Sequence, residues 1–515
     1  MRNFKMSESK LTRSINYGAY GALALWGAGA ALLLNRTPYG LDESAARVML
    51  FLWSFVEDLA NPIVTLGVPD FRAVLLIPAG FAFPGDVFAV KLLTLAVAAS
   101  TAVAMFRWFG RDGDTEAPMI ATGLWLLSPQ LIGQIDRISV EPFLLWVLIA
   151  GAFLERSYRA RPMPFGGRYF ALILLSLAAV TLHPSGIAYP LVIALSWITR
   201  PPPEAAGDGD ARSSGPKPFF ATGARIGLPL GVTAAAIFGL WVAGGWPGVS
   251  WFGNPVAAAT GAVLGWTQPG AASAITWIVG GTVSVLVAIT LWKRRSALWN
   301  DGFGRMVVAA AAISLLTGDS TWVMFSTLIC LYWGFPLLLG LRLPRMPVLL
   351  RERGLALAIV VALATLFMSQ DRARFTLLRS GPELSAQDQL IRALAELVKR
   401  SAPEAGARGD SLPAKGLRVA SQWPGRTMVA CSCNTLPLPP VSGDENGLLK
   451  MLRGIDFIVF DPRNPANQSL SRNLALLGGQ DAETVALQAG GVIVRVTARA
   501  PEPAAPAAPA APSGK

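Results

Sequence analysis

Long apolar runs separated by short polar loops fill the chain as far as residue 368. Beyond it the pattern changes to short segments of alternating or helical period. About twenty consecutive apolar residues suffice to cross the hydrocarbon core of a bilayer as a helix. Runs at 15–34, 87–106, 118–134, 142–154, 222–244, 274–292, 306–317, 322–341 and 355–368 read as crossings. The stretch 169–199 is longer than one crossing needs, and His183, Pro184, Ser185 and Gly186 interrupt its middle. Proline removes a backbone donor and glycine tolerates a tight turn, so this stretch reads as two short helices meeting at an external hairpin. The pattern predicts a polytopic α-helical membrane protein with about eleven transmembrane helices.

The loops orient these helices. Arg107 and Arg111, Arg156 to Arg168, Lys293 to Arg295, and Arg342 to Arg353 all fall on one side in this count, as the positive-inside rule requires of the cytoplasm. Arg2, Lys5, Lys10 and Arg13 precede the first run, which lacks a small-residue cleavage site and reads as an uncleaved span with a cytoplasmic N-terminus. The external loop 35–86 carries an amphipathic stretch at 44–59 and an apolar piece at 73–83, neither long enough to cross. A Pro- and Gly-rich segment, 200–219, reads as a cytoplasmic linker, and 246–273 as a second external loop anchored by Trp246, Trp251, Phe252 and Trp266. From residue 369 onward the pattern predicts a helix at 384–400, strands at 418–421 and 428–432, and a helix at 446–452. A strand at 456–461, a helix at 467–477 and a hairpin at 485–496 follow. The expected domains are a transmembrane part, 1–370, a small C-terminal extramembrane α/β domain on the periplasmic side, 371–499, and a disordered Pro and Ala tail, 500–515. The expected location is a cell (inner) membrane crossed many times.

Composition agrees with this class: 53% of residues are hydrophobic and 15% charged, against about a quarter charged in soluble domains. The net charge of +12 would raise the question of nucleic acid in a soluble domain. Here the positive residues gather in the loops of one side, without interleaved aromatics, and nucleic acid is set aside. Three cysteines are too few for a disulfide framework. Cys431 and Cys433 flank Ser432 with a spacing that matches no zinc signature, and both, like Cys330 in an apolar run, read as structural.

Against this background a few polar groups at the outward ends of the runs stand out. Charges at that depth cost roughly 2.5 to 3.5 kcal/mol each on insertion scales, so each needs a partner, a cavity or a task. Asp42 and Glu43 open the amphipathic stretch, where acids ordinarily cap a helix and meet its dipole. They could equally take a proton from an acceptor hydroxyl. Asp136, Arg137 and Glu141 share the next external turn, where mutual pairing is the plain reading. His183 is the one histidine in the chain. A hairpin histidine can simply bond loop carbonyls, or it can stabilise negative charge on a phosphate oxygen.

The order of these pieces is recognisable. The first span is followed by Asp42-Glu43, Ala73-Val74-Leu75 and Lys91-Leu92-Leu93, then by Leu127-Ser128-Pro129 with Arg137 and Glu141, and then by Leu182-His183-Pro184-Ser185-Gly186. Over roughly 15–199 this order resembles the glycosyltransferase superfamily with the C-type membrane fold, which includes the protein mannosyltransferases and the aminoarabinose transferase of lipid A. The resemblance implies transfer of a sugar from a polyprenyl-phosphate donor to a cell-envelope glycan, lipid or protein acceptor on the outer side of the membrane. It further implies Asp42 as the catalytic acid of the first loop with Glu43 beside it, Arg137 and His183 on the donor phosphate, and Asp136 and Glu141 in support. A divalent metal would suit gathered carboxylates, but its ligands cannot be counted from sequence, and the cofactor is left unknown. A transporter or flippase of lipid-linked sugars is the rival class, although the internal repeats common in such proteins are not visible. A polymerase of lipid-linked sugars differs only in its acceptor.

Overall fold

The computed structural model describes residues 18, 20–56, 70–112, 116–160, 166–199, 227, 230–235, 288–317, 321–339, 348–380, 385–401, 414–439, 452, 454–476, 482–488 and 490–496. The chain forms two compact units. The first takes residues 1–36 and 68–381, the second residues 37–67 and 382–515. The segment that carries Asp42 and Glu43 thus packs with the C-terminal residues, an affiliation that hydropathy alone does not indicate.

The first unit is helical. In chain order it contains α1 (Tyr20–Leu32) and, after α2 of the second unit (Glu43–Trp53), α3 (Arg72–Ala82), α4 (Val87–Phe109) and α5 (Glu116–Leu126). There follow α6 (Pro129–Arg137), α7 (Val140–Ala160), α8 (Gly167–Leu182), α9 (Ala188–Thr199) and α10 (Arg295–Asn300). The last are α11 (Gly302–Thr317), α12 (Thr321–Leu328), α13 (Phe335–Leu339) and α14 (Val348–Ser380). Among the described residues α4 alone is long and apolar enough to cross a bilayer by itself. The pair α6 and α7 qualifies together but is bent by 105°. The apolar run at 118–134 is divided between α5 and α6. Ser128 precedes Pro129, and a residue before proline is pushed out of the helical region. It takes ψ 123, and α6 starts afresh. The run at 322–341 stays helical from Thr321 to Leu337, with a π-helical stretch, Ile329–Gly334, inside it. The runs at 222–244 and 274–292 lie mostly outside the described residues, as do the linker 200–219, the loop 246–273 and the tail 500–515.

The break expected at His183 is present. His183 ends α8, and a 3-10 turn, Pro184–Ile187, leads into α9. A Cβ on Gly186 would sit 1.9 Å from the Ala179 carbonyl oxygen, so only glycine lets the turn fold back on α8. Gly151 on α7 plays the same part against Tyr189, whose ring a Cβ there would meet at 1.9 Å. The unit's outward faces are apolar: Leu25, Leu174, Ile198 and Met368 are all more than half exposed.

The second unit contains α2 together with α15 (Ala386–Ser401), β1 (Ala414–Ser421), α16 (Pro424–Cys431), β2 (Cys433–Pro437), β3 (Phe457–Phe460), α17 (Gln468–Leu476), β4 (Ala482–Gln488) and β5 (Gly491–Val496). The strands form one sheet in the order β2-β1-β3-β5-β4, parallel among β1, β2 and β3 and antiparallel where β5 joins β3 and β4. Side chains alternate across the sheet with the period of a strand. Val419, Phe457, Val459 and Ile493 face α15, while Ala420, Ile458, Phe460 and Val494 pack with Leu470 and Leu474 of α17. One expected strand, 428–432, is helical instead, because Pro424 at the first helical position starts α16 and carries it through Cys431. Cys431 and Cys433 are joined by a disulfide that closes the turn from α16 into β2, where Ser432 adopts φ 52. The expected helix at 446–452 lies almost wholly outside the described residues.

Candidate functional site

Within the second unit Asp42 has the helix-start role that its position suggests. Its Oδ1 accepts the Ala45 N–H at 2.5 Å and the Ser44 hydroxyl at 2.7 Å, capping α2. Glu43 does something the sequence does not show. Its carboxylate accepts the backbone N–H groups of Gly425 at 2.7 Å and Arg426 at 3.1 Å, and so caps α16, whose own N-cap residue, Trp423, supplies no side-chain bond. Anionic oxygen suits those amides because the first amides of a helix lack internal partners and lie at its positive pole. Burial pushes the Glu43 carboxyl above its ordinary pKa, against the lowering pull of these two amides and of Arg47.

Asp388 makes the second tie. It accepts the Gly40 N–H at 3.2 Å and Arg426 Nη2 at 2.6 Å, while Ser385 donates to its other oxygen at 2.6 Å. The Asp388 amide in turn donates to the Ser385 hydroxyl at 3.1 Å, in the reciprocal manner of a capping box. The loop and helix start bearing Asp42 are thereby fastened at Gly40 and at Glu43 to α15 and α16.

The first unit gathers its charges around Asp136. Lys91, fully buried on α4, donates from Nζ to Asp136 Oδ1 at 3.0 Å and to the Asn35 carbonyl at 2.7 Å. Arg374 on α14 donates from Nη2 to Asp136 Oδ2 at 2.6 Å and from Nε to the Leu33 carbonyl at 3.1 Å. The Asn35 N–H adds a third donor to Asp136 at 2.7 Å. Two cations thus face one carboxylate at the end of α6, and Arg374 faces a second, Asp371. Arg137, expected to pair within its own turn, is exposed, and Asp136 takes Lys91 and Arg374 instead. Glu141 accepts the Ser139 hydroxyl.

Arg72 lies on the same turn. Fully buried, it grips Asp70 through Nε and Nη2 and donates from Nη1 to the Ile138 carbonyl at 2.5 Å. Ile138 stands at φ 54, a left-handed conformation that a β-branched residue adopts only when its surroundings hold it there. His183 accepts the Ser185 N–H on Nδ1 at 3.2 Å, with the Ser185 hydroxyl 2.6 Å from the same atom. These two contacts hold the ring against the turn that follows it.

Lys91, Arg374 and Asp371 were not singled out for this site from sequence. A lysine inside an apolar run is a signal in itself. Asp371 and Arg374, past the expected end of the last crossing, carried none. Burial pushes the Asp371 carboxyl up to about 6 against the pull of Arg374, and its Oδ1 is buried without a hydrogen-bond partner. Among the described residues no three His, Cys, Asp or Glu side chains come together as metal ligands, so no step is assigned to a metal.

No family model matches the chain, and no curated protein matches it by sequence. Solved structures do. ArnT from Cupriavidus metallidurans bound to undecaprenyl phosphate is similar with a TM-score of 0.55 at 13% identity, covering 95% of this chain and 100% of that one. The same ArnT in the apo state gives 0.53 at 13% identity over 94% and 98%. At this identity the likeness is one of fold, and it extends over nearly all of both chains: the fold is that of ArnT, the C-type membrane glycosyltransferase fold to which the sequence bears its resemblance.

Proposed function

We propose that this protein is an inverting glycosyltransferase of a cell membrane. It would move a sugar from a polyprenyl-phosphate donor to a glycan, lipid or protein acceptor on the outer side. The observation that carries the reading is the fold, shared over nearly its whole length with a protein whose structure holds undecaprenyl phosphate. The unit of apolar-faced helices supports a multi-pass membrane location, while about eleven crossings and a cytoplasmic N-terminus rest on the hydropathy and loop charges of the sequence. The Cys431–Cys433 disulfide supports a periplasmic C-terminal α/β domain, because such bonds persist in oxidising compartments.

In this reading Asp42 accepts the proton of the acceptor hydroxyl, which attacks the anomeric carbon as the lipid phosphate leaves with the electron pair of the broken bond. Inversion at that carbon requires no covalent intermediate. Arg137 and His183 keep the donor-phosphate role expected of them, and Lys91 and Arg374 join them as the cations gathered at Asp136. Guanidinium and ammonium groups suit phosphate oxygens. Asp136 and Glu141 hold the turn. Glu43 is a clamp for the Asp42 segment rather than a second base.

The test is to give the purified full-length protein, in lipid, a panel of polyprenyl-phosphate sugars and follow release of lipid phosphate and formation of glycosylated acceptor. Asp42→Asn should abolish transfer with folding intact. Full transfer by that variant would remove Asp42 from the role, and consumption of no donor would favour the transport class.

A further inference from the structure

At the other end of α4 the first unit has a second gathering of cations around an open pocket of about 370 Å³, which the proposed transfer does not use. Its walls come from three parts of the fold. Arg111 follows α4, Glu155, Arg156 and Arg159 lie on the last turns of α7, and Arg305 lies on α11. Trp108 forms one side. Its Nε1 donates to Asp301 at 3.0 Å, and the Arg111 guanidinium lies over its ring at 4.5 Å, so the indole is fixed on edge and face. Glu155 is paired with Arg159. Among the described residues, four guanidinium groups therefore share the pocket and its rim with two carboxylates, Glu155 and Asp301.

The convergence of four arginines on one pocket needs a reason. The positive-inside rule places arginines in cytoplasmic loops, but dispersed in solvent, without a requirement for a common cavity. Here they converge on a space of the size that holds small ligands, with a rigid aromatic wall. Guanidinium forks suit carboxylate and phosphate oxygens alike, and a phosphate, with several oxygens and up to two negative charges, can meet more than one fork at once. Lys91 and Trp108 are 17 positions apart on α4, or about 25 Å along its axis at 1.5 Å per residue. This pocket is thus separate from the Asp136 cluster.

We propose that the pocket binds a phosphate group, as a monoester or diester, at the end of the helical unit opposite Lys91. Two sources share this chemistry, the headgroup of an anionic phospholipid and a soluble phosphate, and one experiment with two arms separates them. In the first arm, purified full-length protein is reconstituted in bilayers of phosphatidylcholine with and without phosphatidylglycerol, and lipid retained after extraction is counted by native mass spectrometry. In the second, inorganic phosphate is titrated against sodium chloride at equal ionic strength and thermal stabilisation is read. Arg156→Gln removes an exposed side chain and should leave the melting temperature of the ligand-free protein unchanged, whereas Arg111→Gln also removes the guanidinium over Trp108 and is read against its own ligand-free baseline. Each should weaken binding of the effective probe ~10-fold, and the pair together more. Arg156→Lys, which keeps the charge without the fork, should fall between. Preferential retention of phosphatidylglycerol identifies a lipid diester, and stabilisation by phosphate beyond chloride identifies a soluble ligand. Wild-type affinity in the double variant would overturn the site. So would equal retention of both lipids together with equal effects of phosphate and chloride. Neither arm depends on sugar transfer, so this site and the transfer reading stand or fall separately.

Discussion

Glu43→Ala removes the group that caps α16 from a distant part of the sequence, and the structure permits its cost to be worked out. Two amide donors lose a carboxylate that is itself only 23% exposed. Hydrogen bonds to a charged acceptor contribute about 1.5–3 kcal/mol each, but desolvation of the carboxylate, visible in the raised pKa of Glu43, offsets part of this. Loss of an N-cap costs about 0.5–2 kcal/mol. A net loss of about 2 kcal/mol follows, equivalent to roughly a 30-fold rise in the open population of this helix start. Hydrogen exchange of the peptide containing Gly425 and Arg426 reads that population directly, and its protection should fall by about this factor in Glu43→Ala. Gly425→Ala tests the same contact from the other side, since a Cβ there would come within 2.9 Å of Glu43 Oε1 and force the carboxylate away. The two changes should therefore be far from additive in a double-mutant cycle. Unchanged exchange at Gly425 and Arg426 in Glu43→Ala, or strict additivity, would refute the capping argument.

Three further outcomes follow from other parts of the structure. Asp136→Ala leaves Lys91 and Arg374 without their carboxylate and should lower stability by about 3–5 kcal/mol in denaturant unfolding; Lys91→Met combined with it should cost less than the sum of the two. Asp371 has a folded pKa of about 6 against an ordinary 3.8, so the folded protein binds the extra proton and gains stability as pH falls through that window. Asp371→Asn, which resembles the protonated acid, should flatten the thermal-stability profile between those values, match the wild type at the acid end and be the more stable of the two above pH 7. Gly151→Ala drives a methyl into the Tyr189 ring and should destabilise by about 1–3 kcal/mol in thermal unfolding, whereas Gly123→Ala, with nothing within 4 Å, should be neutral or stabilising.

The legible and illegible parts of the chain divide along a physical line. The helix at 384–400 and the strands around 457–460 and 491–496 carry their own periodicity, and they appear as Ala386–Ser401, Phe457–Phe460 and Gly491–Val496. The break at His183-Pro184-Ser185-Gly186 is written in backbone chemistry and was equally visible. The segment 428–432 misled because Met428, Val429 and Cys431 make an apolar run of strand length, while its helix is capped by a glutamate 382 residues away. Ser128-Pro129 was a break signal overridden by the apolar run around it. For the candidate site, Asp42, Asp136 and His183 announced themselves as polar groups in apolar surroundings. Their partners did not: Lys91 and Arg374 become neighbours of Asp136 only when α4, α6 and α14 have packed.

The reach of the Glu43 contact also bears on how the protein is made. Its acceptor emerges from the ribosome 382 residues before its donors. At 5–20 residues per second that interval lasts roughly 20–80 s. Throughout it α2 is synthesised with its partners absent, and Ala45, Val48, Met49 and Leu52, buried in the finished unit, have no C-terminal residues to cover them. A nascent chain stalled before residue 425 should therefore present this helix to chaperones or to the lipid surface, and a full-length chain should withdraw it.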